Sequence, residues 1–407
     1  MIPLRRLSVF ALALALAPGG CDWLPADLAG TGFTVQVLEP GGAPVAAAHL
    51  TGGIDWDYFD VATDSAGEAL LPRRARHVAA MIRAENHIAV PIAALEPGSY
   101  RMQPTPGRVH LVGGLWGNVV SASGDEATTV SLDGYLRRFA YSDAGVVRTF
   151  ELRIDTATSI NTARLERDTL WLANGDGHLE AWSLANPDQP RKLFALPILV
   201  IDWATLDSVR IGGWNTTAVF TYSPAGELRM LATLSLPPLR QAWALDRTHA
   251  LLVAWAYVGD PATVAVVDAT NPRQPRVAFR QDFPGAAYPT ALVGNVLVVA
   301  HPGTAGDPVV HDRLDLTDPE HPRPLAPLTA SAQITAFLSD SVALGTLRVQ
   351  PGDYGELAFL RRRGDAFETL ATAGGGVLSP DGRQVALRPP FLVLGGYGGG
   401  GVWKLGW

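Results

Sequence analysis

One turn recurs along this chain and limits what it can fold into. It reads Leu115-Trp-Gly-Asn118, Leu165-Glu-Arg-Asp168, Leu206-Asp-Ser208, Leu245-Asp-Arg-Thr248, Leu292-Val-Gly-Asn295, Leu338-Ser-Asp-Ser341 and Leu378-Ser-Pro-Asp-Gly382. Each time an apolar residue leads into a short polar or Gly-containing turn, and a new run of β-formers follows. The leucines lie 50, 41, 39, 47, 46 and 40 residues apart. A period of that length with several short strands per unit predicts a radial array of small sheets, each covering its neighbour's apolar face.

From about Val109 each unit divides the same way. A first strand enters the Leu turn, and a continuous apolar strand follows, as in Thr169-Leu-Trp-Leu-Ala173, Ala250-Leu-Leu-Val-Ala254 and Val296-Leu-Val-Val-Ala300. Such runs fit strands buried on both faces. A Gly-rich loop, an alternating third strand, a second turn and a more polar fourth strand complete the unit, the last suited to an edge that must resist strange partners. The expected fold is all-β: a seven-bladed β-propeller over 104–407, preceded by a small β-sandwich over 32–103. Six blades with irregular ends is the rival count. The seventh unit stops at Val402-Trp-Lys-Leu405, where a fourth strand is due. The missing strand is expected from Tyr100 to Arg108, closing the circle.

The second turn is nearly a formula in three units. Asn186-Pro-Asp-Gln-Pro-Arg191, Asn271-Pro-Arg-Gln-Pro-Arg276 and Asp318-Pro-Glu-His-Pro-Arg323 share one pattern. Asn or Asp caps the turn and the first Pro fixes φ. With Val266-Val-Asp-Ala-Thr-Asn271 and Leu314-Asp-Leu-Thr-Asp318 ahead of them, these stretches resemble the LVIVD-repeat family of bacterial surface propellers. In the first module, Val61-Ala-Thr-Asp-Ser-Ala-Gly-Glu-Ala-Leu-Leu-Pro72 resembles the carboxypeptidase regulatory-like, transthyretin-like domains. That resemblance implies a small β-sandwich without catalysis of its own. Locally, Asp64 can accept from the backbone two residues on and Gly67 can supply φ > 0, so a hairpin is expected there.

The N-terminus carries an address. Arg5 and Arg6 precede an apolar stretch from Leu7 to Ala17, too short to span a bilayer as a helix, and Gly19-Gly20 precede Cys21, the only cysteine. This resembles a bacterial lipobox, which implies a signal peptide over 1–20, cleavage before Cys21, lipid on Cys21 and a tether over 21–31. The alternatives are an ordinary signal peptide with an incidental cysteine and a twin-arginine signal on Arg-Arg-Leu-Ser. With no second cysteine, no intrachain disulfide can form. The expected place is the bacterial cell envelope, anchored through lipid at the outer membrane or on its periplasmic face. Net charge is −7 and grows more negative once Arg5 and Arg6 leave. Nucleic acid, whose phosphates need a basic face, is therefore not an expected partner.

Candidate functional residues lie in the loop between second and third strands. Gly-Asp occurs at Gly124-Asp125, Gly175-Asp176, Gly259-Asp260, Gly306-Asp307 and Gly352-Asp353, with Trp214-Asn215 in another unit and Gly396-Tyr-Gly-Gly-Gly-Gly401 in the last. One reading is a ring of acceptors, Asp125, Asp176, Asn215, Asp260, Asp307 and Asp353, facing a cation or basic partner. The other is hairpin chemistry, which Gly and Asp serve anywhere. Trp203, Trp243, Tyr288 and Gln333 on inner strands form either a ligand platform or packing. Asp55, Asp57 and Asp60 offer a Ca²⁺ site or a solvated loop. His301 and His311 flank a loop with Asp307 and Asp312, a second metal idea. No zincin spacing, nucleophile elbow or phosphate loop is present. The expected function is a non-enzymatic binding or scaffold module with an envelope protein or glycan as partner and no cofactor. The alternative is a lactonase- or quinoprotein-like enzyme with a metal or cofactor on the axis.

Overall fold

The computed structural model describes residues 32–52, 59–105, 109–154, 160–207, 209–254, 261–283, 288–301, 308–347, 356–373, 385–395 and 400–405. The signal and tether, Cys21 included, lie outside them, as do Asp55, Asp57, Asp260, Asp307 and Asp353. Among the described residues no helix is long and apolar enough to cross a membrane.

Seven short strands come first, in two sheets. One holds Glu68–Leu71, Phe33–Leu38 and Gly98–Arg101; the other holds Phe59–Ala62, His49–Gly52, Ala80–Arg83 and Val90–Ile92. Their alternating inward residues make one core around Val35, Val37, Leu50, Leu71, Ile82 and Leu95. The Asp64 turn forms as its residues dictate: Asp64 Oδ1 accepts from Ala66 N at 2.8 Å and Glu68 N at 2.9 Å, and Gly67 takes φ +73°. It is not a hairpin, however. Phe59–Ala62 pairs with His49–Gly52, and Glu68–Leu71 pairs with Phe33–Leu38. The turn therefore carries the chain from one sheet to the other.

Seven four-stranded sheets follow, two of them joined by a short parallel contact between Thr329–Ala330 and Ala366–Phe367. Blade one runs Asn118–Ser123, Glu126–Val130, Tyr135–Ser142 and Gly145–Arg153, from inner to outer strand. Blades two to six repeat that order from Ile160–Glu166, Asp202–Thr205, Leu239–Ala244, Tyr288–Val293 and Gln333–Ser339. Blade seven takes three strands from the C-terminus, Val385–Arg388, Phe391–Leu394 and Gly400–Leu405, and its outer strand from Val109–Leu115.

The packing explains the sequence pattern. Second strands lie between two neighbouring blades, so both faces must be apolar. In blade four, Ala250 and Leu252 pack toward blade three while Leu251 and Val253 pack toward blade five. All four are fully buried, and each buried Leu or Val contributes about 1.5–3 kcal/mol over leaving it exposed. Fourth strands such as Gly145–Arg153 are mostly exposed, and this one carries the charged Arg148, Glu151 and Arg153. Every pair of neighbouring blades shares an apolar cluster, including blade seven with blade one through Leu115, Val119, Phe139, Val393 and Val402. The ring is closed.

Two expectations need correction. The closing strand is Val109–Leu115, not a piece of Tyr100–Arg108, because Tyr100 and Arg101 already pair with Val37 and Leu38 in the sandwich. The frame of the repeat therefore shifts at both ends. Five Leu turns, at Leu165, Leu206, Leu245, Leu292 and Leu338, join inner to second strands. Leu115 instead ends the outer strand of blade seven and crosses to blade one, and Leu378 precedes the first strand of blade seven, outside the described residues.

Candidate functional site

In a sheet whose strands alternate in direction, the second-to-third loops lie on the same face as the blade-to-blade crossovers, and the first-to-second turns lie on the other. Asp176 sits on the crossover face, in a loop capped by Asn174, whose Oδ1 accepts from His178 N at 2.9 Å. Asn215 sits there too, exposed between Arg210–Gly213 and Thr217–Tyr222. Asp125 does not. Gly124-Asp125 joins Asn118–Ser123 to Glu126–Val130, so it lies on the opposite face. The corresponding crossover-face loop of blade one is Ser131 to Gly134, with Asp133 and a left-handed Gly134 at φ +80°. The other three Asp candidates follow second strands in chain order but lie outside the described residues. The expected ring of acceptors thus loses Asp125, and blade one offers Asp133 on that face instead.

The inner strands begin on this same face. Three of them open on a polar, largely buried residue: Asn118 is 2% exposed, Asp202 5% and Gln333 8%. Asp202 is fully used. It pairs with Arg164 of blade two and accepts from Ala242 N of blade four at 2.8 Å, tying three inner strands together. Thr162 adds a bond to Ile201 O at 2.6 Å. By contrast, Asn118 Oδ1, Asn161 Nδ2, Gln241 Oε1 and Gln333 Nε2 are buried without a hydrogen-bond partner. Such atoms are rare in folded proteins, and each costs about 1–3 kcal/mol when nothing answers it.

Two residues before Asn118 stands Trp116, 68% exposed. Its backbone is pinned, because Thr129 Oγ1 donates to Trp116 O at 2.7 Å. Gly117 between them holds φ +104°, and a Cβ there would meet Val130 O at 2.5 Å. Trp116 is therefore held out of the core by a backbone that cannot easily move. Nothing local in the sequence marks Trp116, because the Leu115 turn has the same chemistry as the other Leu turns.

The inner-strand aromatics mostly pack. Trp203 is fully buried between blades two and three, with the Arg164 guanidinium 4.6 Å from its ring centre and its Nε1 donating to Glu166 at 3.2 Å. Trp243 packs partly buried between blades four and five. The side chain of Tyr288 lies outside the described residues. Asp60 pairs with His49 at 2.9 Å.

Among the described residues, His301 and His311 have separate partners. His301 Nε2 meets Asp312 at 2.8 Å. His311 uses both nitrogens on the backbone, donating from Nδ1 to Val309 O at 3.1 Å and accepting from Ile334 N at Nε2 at 3.0 Å. Burial pushes its pKa down from 6.5 to about 4, so it is neutral and joins blade five to blade six. A separate cleft of about 640 Å³ runs between sandwich and propeller, lined by His49, Arg83, His87, His110, Glu356 and Thr372, among others.

The ring of seven four-stranded sheets, closed by an N-terminal strand, defines the class: a β-propeller. No known protein family matches the chain, and no curated protein matches it significantly. Solved structures do resemble it in shape. The WD40 β-propeller domain of Doa1 is 13% identical, with 73% of this chain and 97% of that one covered, at a TM-score of 0.48. A protein from Lactobacillus plantarum is 10% identical, covering 89% and 99%, at 0.45. Kuenenia stuttgartiensis hydrazine synthase is 10% identical, covering 72% and 95%, at 0.49.

Proposed function

We propose that this protein is a non-enzymatic recognition module of the bacterial envelope, held to a membrane by lipid on Cys21, that binds a neutral, hydroxyl-rich ligand on the crossover face of its propeller. One observation carries the ligand class: exposed Trp116 stands two residues from Asn118, whose buried Oδ1 has no partner. Sugar rings present apolar C–H faces that stack on an indole, and hydroxyls that both donate and accept. The unpartnered set matches that dual need. Asn118 Oδ1 and Gln241 Oε1 accept, while Asn161 Nδ2 and Gln333 Nε2 donate. A carbohydrate fits this chemistry better than the cation suggested by the Gly-Asp loops, since the unpaired groups of the inner strands are amides. The support for the anchor is the sequence from Arg5 to Cys21.

A glycan array probed with the purified chain tests the ligand class, with Trp116→Ala beside it. Selective binding to neutral glycans, lost in the variant, is the expected result. Binding to no glycan, or identical profiles for the two proteins, would reject it.

A further inference from the structure

On the face opposite the proposed ligand site, three side chains from blades four and five converge. His249 is the first residue of His249–Ala254 and pairs in register with Asp268, the last residue of Ala262–Asp268. Strand register alone therefore puts these two side chains together. Glu320 comes from blade five, at the third position of the turn Asp318-Pro-Glu-His-Pro-Arg323. Asp318 Oδ1 accepts from Glu320 N at 3.1 Å, which aims Glu320 back at blade four. One donor atom from each of His249, Asp268 and Glu320 lies within 4.8 Å of the others.

The histidine is oriented from behind. Asp246 Oδ1 accepts from Thr248 N and His249 N, both at 2.7 Å, and Oδ2 meets His249 Nδ1 at 2.8 Å. This bond holds the proton on Nδ1 and leaves a lone pair on Nε2, the carboxylate–histidine arrangement common behind metal ligands. Nε2 is buried and has no hydrogen-bond partner. It faces Glu320 Oε1 at 3.7 Å and Asp268 Oδ1 at 4.0 Å. In that tautomer the lone pair faces two carboxylates, an arrangement that a bound cation relieves. A proton on Nε2 would bond to neither oxygen at those distances.

Arg276 supplies only part of the missing charge. Its Nε meets Asp268 Oδ2 at 2.9 Å, and its Nη2 pairs with Glu320 Oε1, the oxygen that faces His249 Nε2 and that an ion would share or take over. Asp246, Asp268 and Glu320 together carry three negative charges against that one guanidinium, which leaves room for a divalent ion.

We propose that His249, Asp268 and Glu320 bind a divalent first-row transition ion, with Zn²⁺ as the reference, and that the ion staples blade four to blade five. One imidazole nitrogen with carboxylate oxygens is a donor set of that class. Zinc bonds of about 2.0–2.2 Å would set tetrahedral donors roughly 3.3–3.5 Å apart, so the carboxylates close in on Nε2 by roughly 0.2–0.7 Å. Glu320, on a partly exposed turn, has the freedom to do so.

The test is calorimetric titration of the purified full-length chain with Zn²⁺, repeated with Co²⁺ for its visible absorption. The variants are His249→Gln, Glu320→Gln and His321→Gln, each first shown to be folded by circular dichroism. The expected result is one equivalent bound, with Kd raised at least tenfold by His249→Gln and by Glu320→Gln and unchanged by His321→Gln. Zn²⁺ should also raise Tm in the parent and in His321→Gln but not in His249→Gln. No binding, binding indifferent to His249→Gln, or equal loss in His321→Gln would overturn the assignment.

Discussion

Arg83 of the sandwich forms an ion pair with Glu356 of blade six, and Glu356 is almost completely buried. Arg83 also donates to Thr51, and nearby Ala89 N donates to Thr372 Oγ1 at 2.9 Å. Met81 and Ala89 join the apolar cluster between blades five and six. The sandwich is thus packed into the ring and not strung beside it. Removing one partner of a buried pair leaves an uncompensated charge. Because Arg83 is partly exposed, Arg83→Met should cost about 2–3 kcal/mol by denaturant unfolding, below the usual range for a fully buried pair. Burial already pushes the Glu356 pKa above the ordinary carboxylate value, although Arg83 pulls it down. A raised carboxylate contributes stability below its unfolded pKa and loses it as pH rises through the folded one. The deficit of Arg83→Met should therefore be largest near neutrality and shrink in acid, and Glu356→Gln should recover part of it.

His311 gives the structure an acid-sensitive joint between blades five and six. Its folded pKa of about 4 lies below the ordinary 6.5. The fold favours neutral imidazole, so its contribution is complete above pH 6.5 and disappears as pH falls to about 4. The span corresponds to about 3 kcal/mol. Unfolding midpoints across that range should fall more steeply for the parent than for His311→Asn, which starts lower because Ile334 N loses its acceptor. Parallel curves would refute the assignment.

Two adjacent glycines of the closing strand differ in the space around them. A Cβ on Gly113 would meet the Val146 side chain at 2.8 Å, whereas one on Gly114 would meet only Gly400 O at 3.9 Å. Gly113→Ala should cost about 1–3 kcal/mol through overpacking. Gly114→Ala should be tolerated, within about 0.5 kcal/mol. Thermal melts of the pair would check the contrast, and it would be absent if Val109–Leu115 were not the closing strand.

Much of this architecture is legible in the sequence because buried strands and tight turns leave strong marks. The apolar runs at Thr169, Ala250 and Val296 are second strands, and the Asn/Asp-Pro turns form as capped turns in all three units. Asn186 O, Asn271 O and Asp318 O accept from Gln189 N, Gln274 N and His321 N at 3.0, 2.9 and 3.1 Å. The frame error at the ends has a physical cause. A crossover such as Leu115-Trp-Gly-Asn118 needs the same apolar anchor and left-handed glycine as a hairpin, so local chemistry does not separate them. Gly124-Asp125 misleads likewise, since that dipeptide suits a tight turn on either face. The exposure of Trp116 and the unpaired Asn118 amide depend on long-range packing. His249 and Asp268 meet only once register is known, and Glu320 reaches them from the next blade.

The most direct measurement is a calorimetric titration of a neutral oligosaccharide into the parent chain and three variants: Trp116→Ala, Asn118→Leu and Asp125→Asn. Trp116 and Asn118 lie on the crossover face, and Asp125 is exposed on the other. Saturable binding is expected, weakened at least tenfold by the first two substitutions and untouched by the third. Loss of about 1.4 kcal/mol or more corresponds to that factor. Binding that survives Trp116→Ala and Asn118→Leu but fails in Asp125→Asn would place recognition on the wrong face and contradict the proposal.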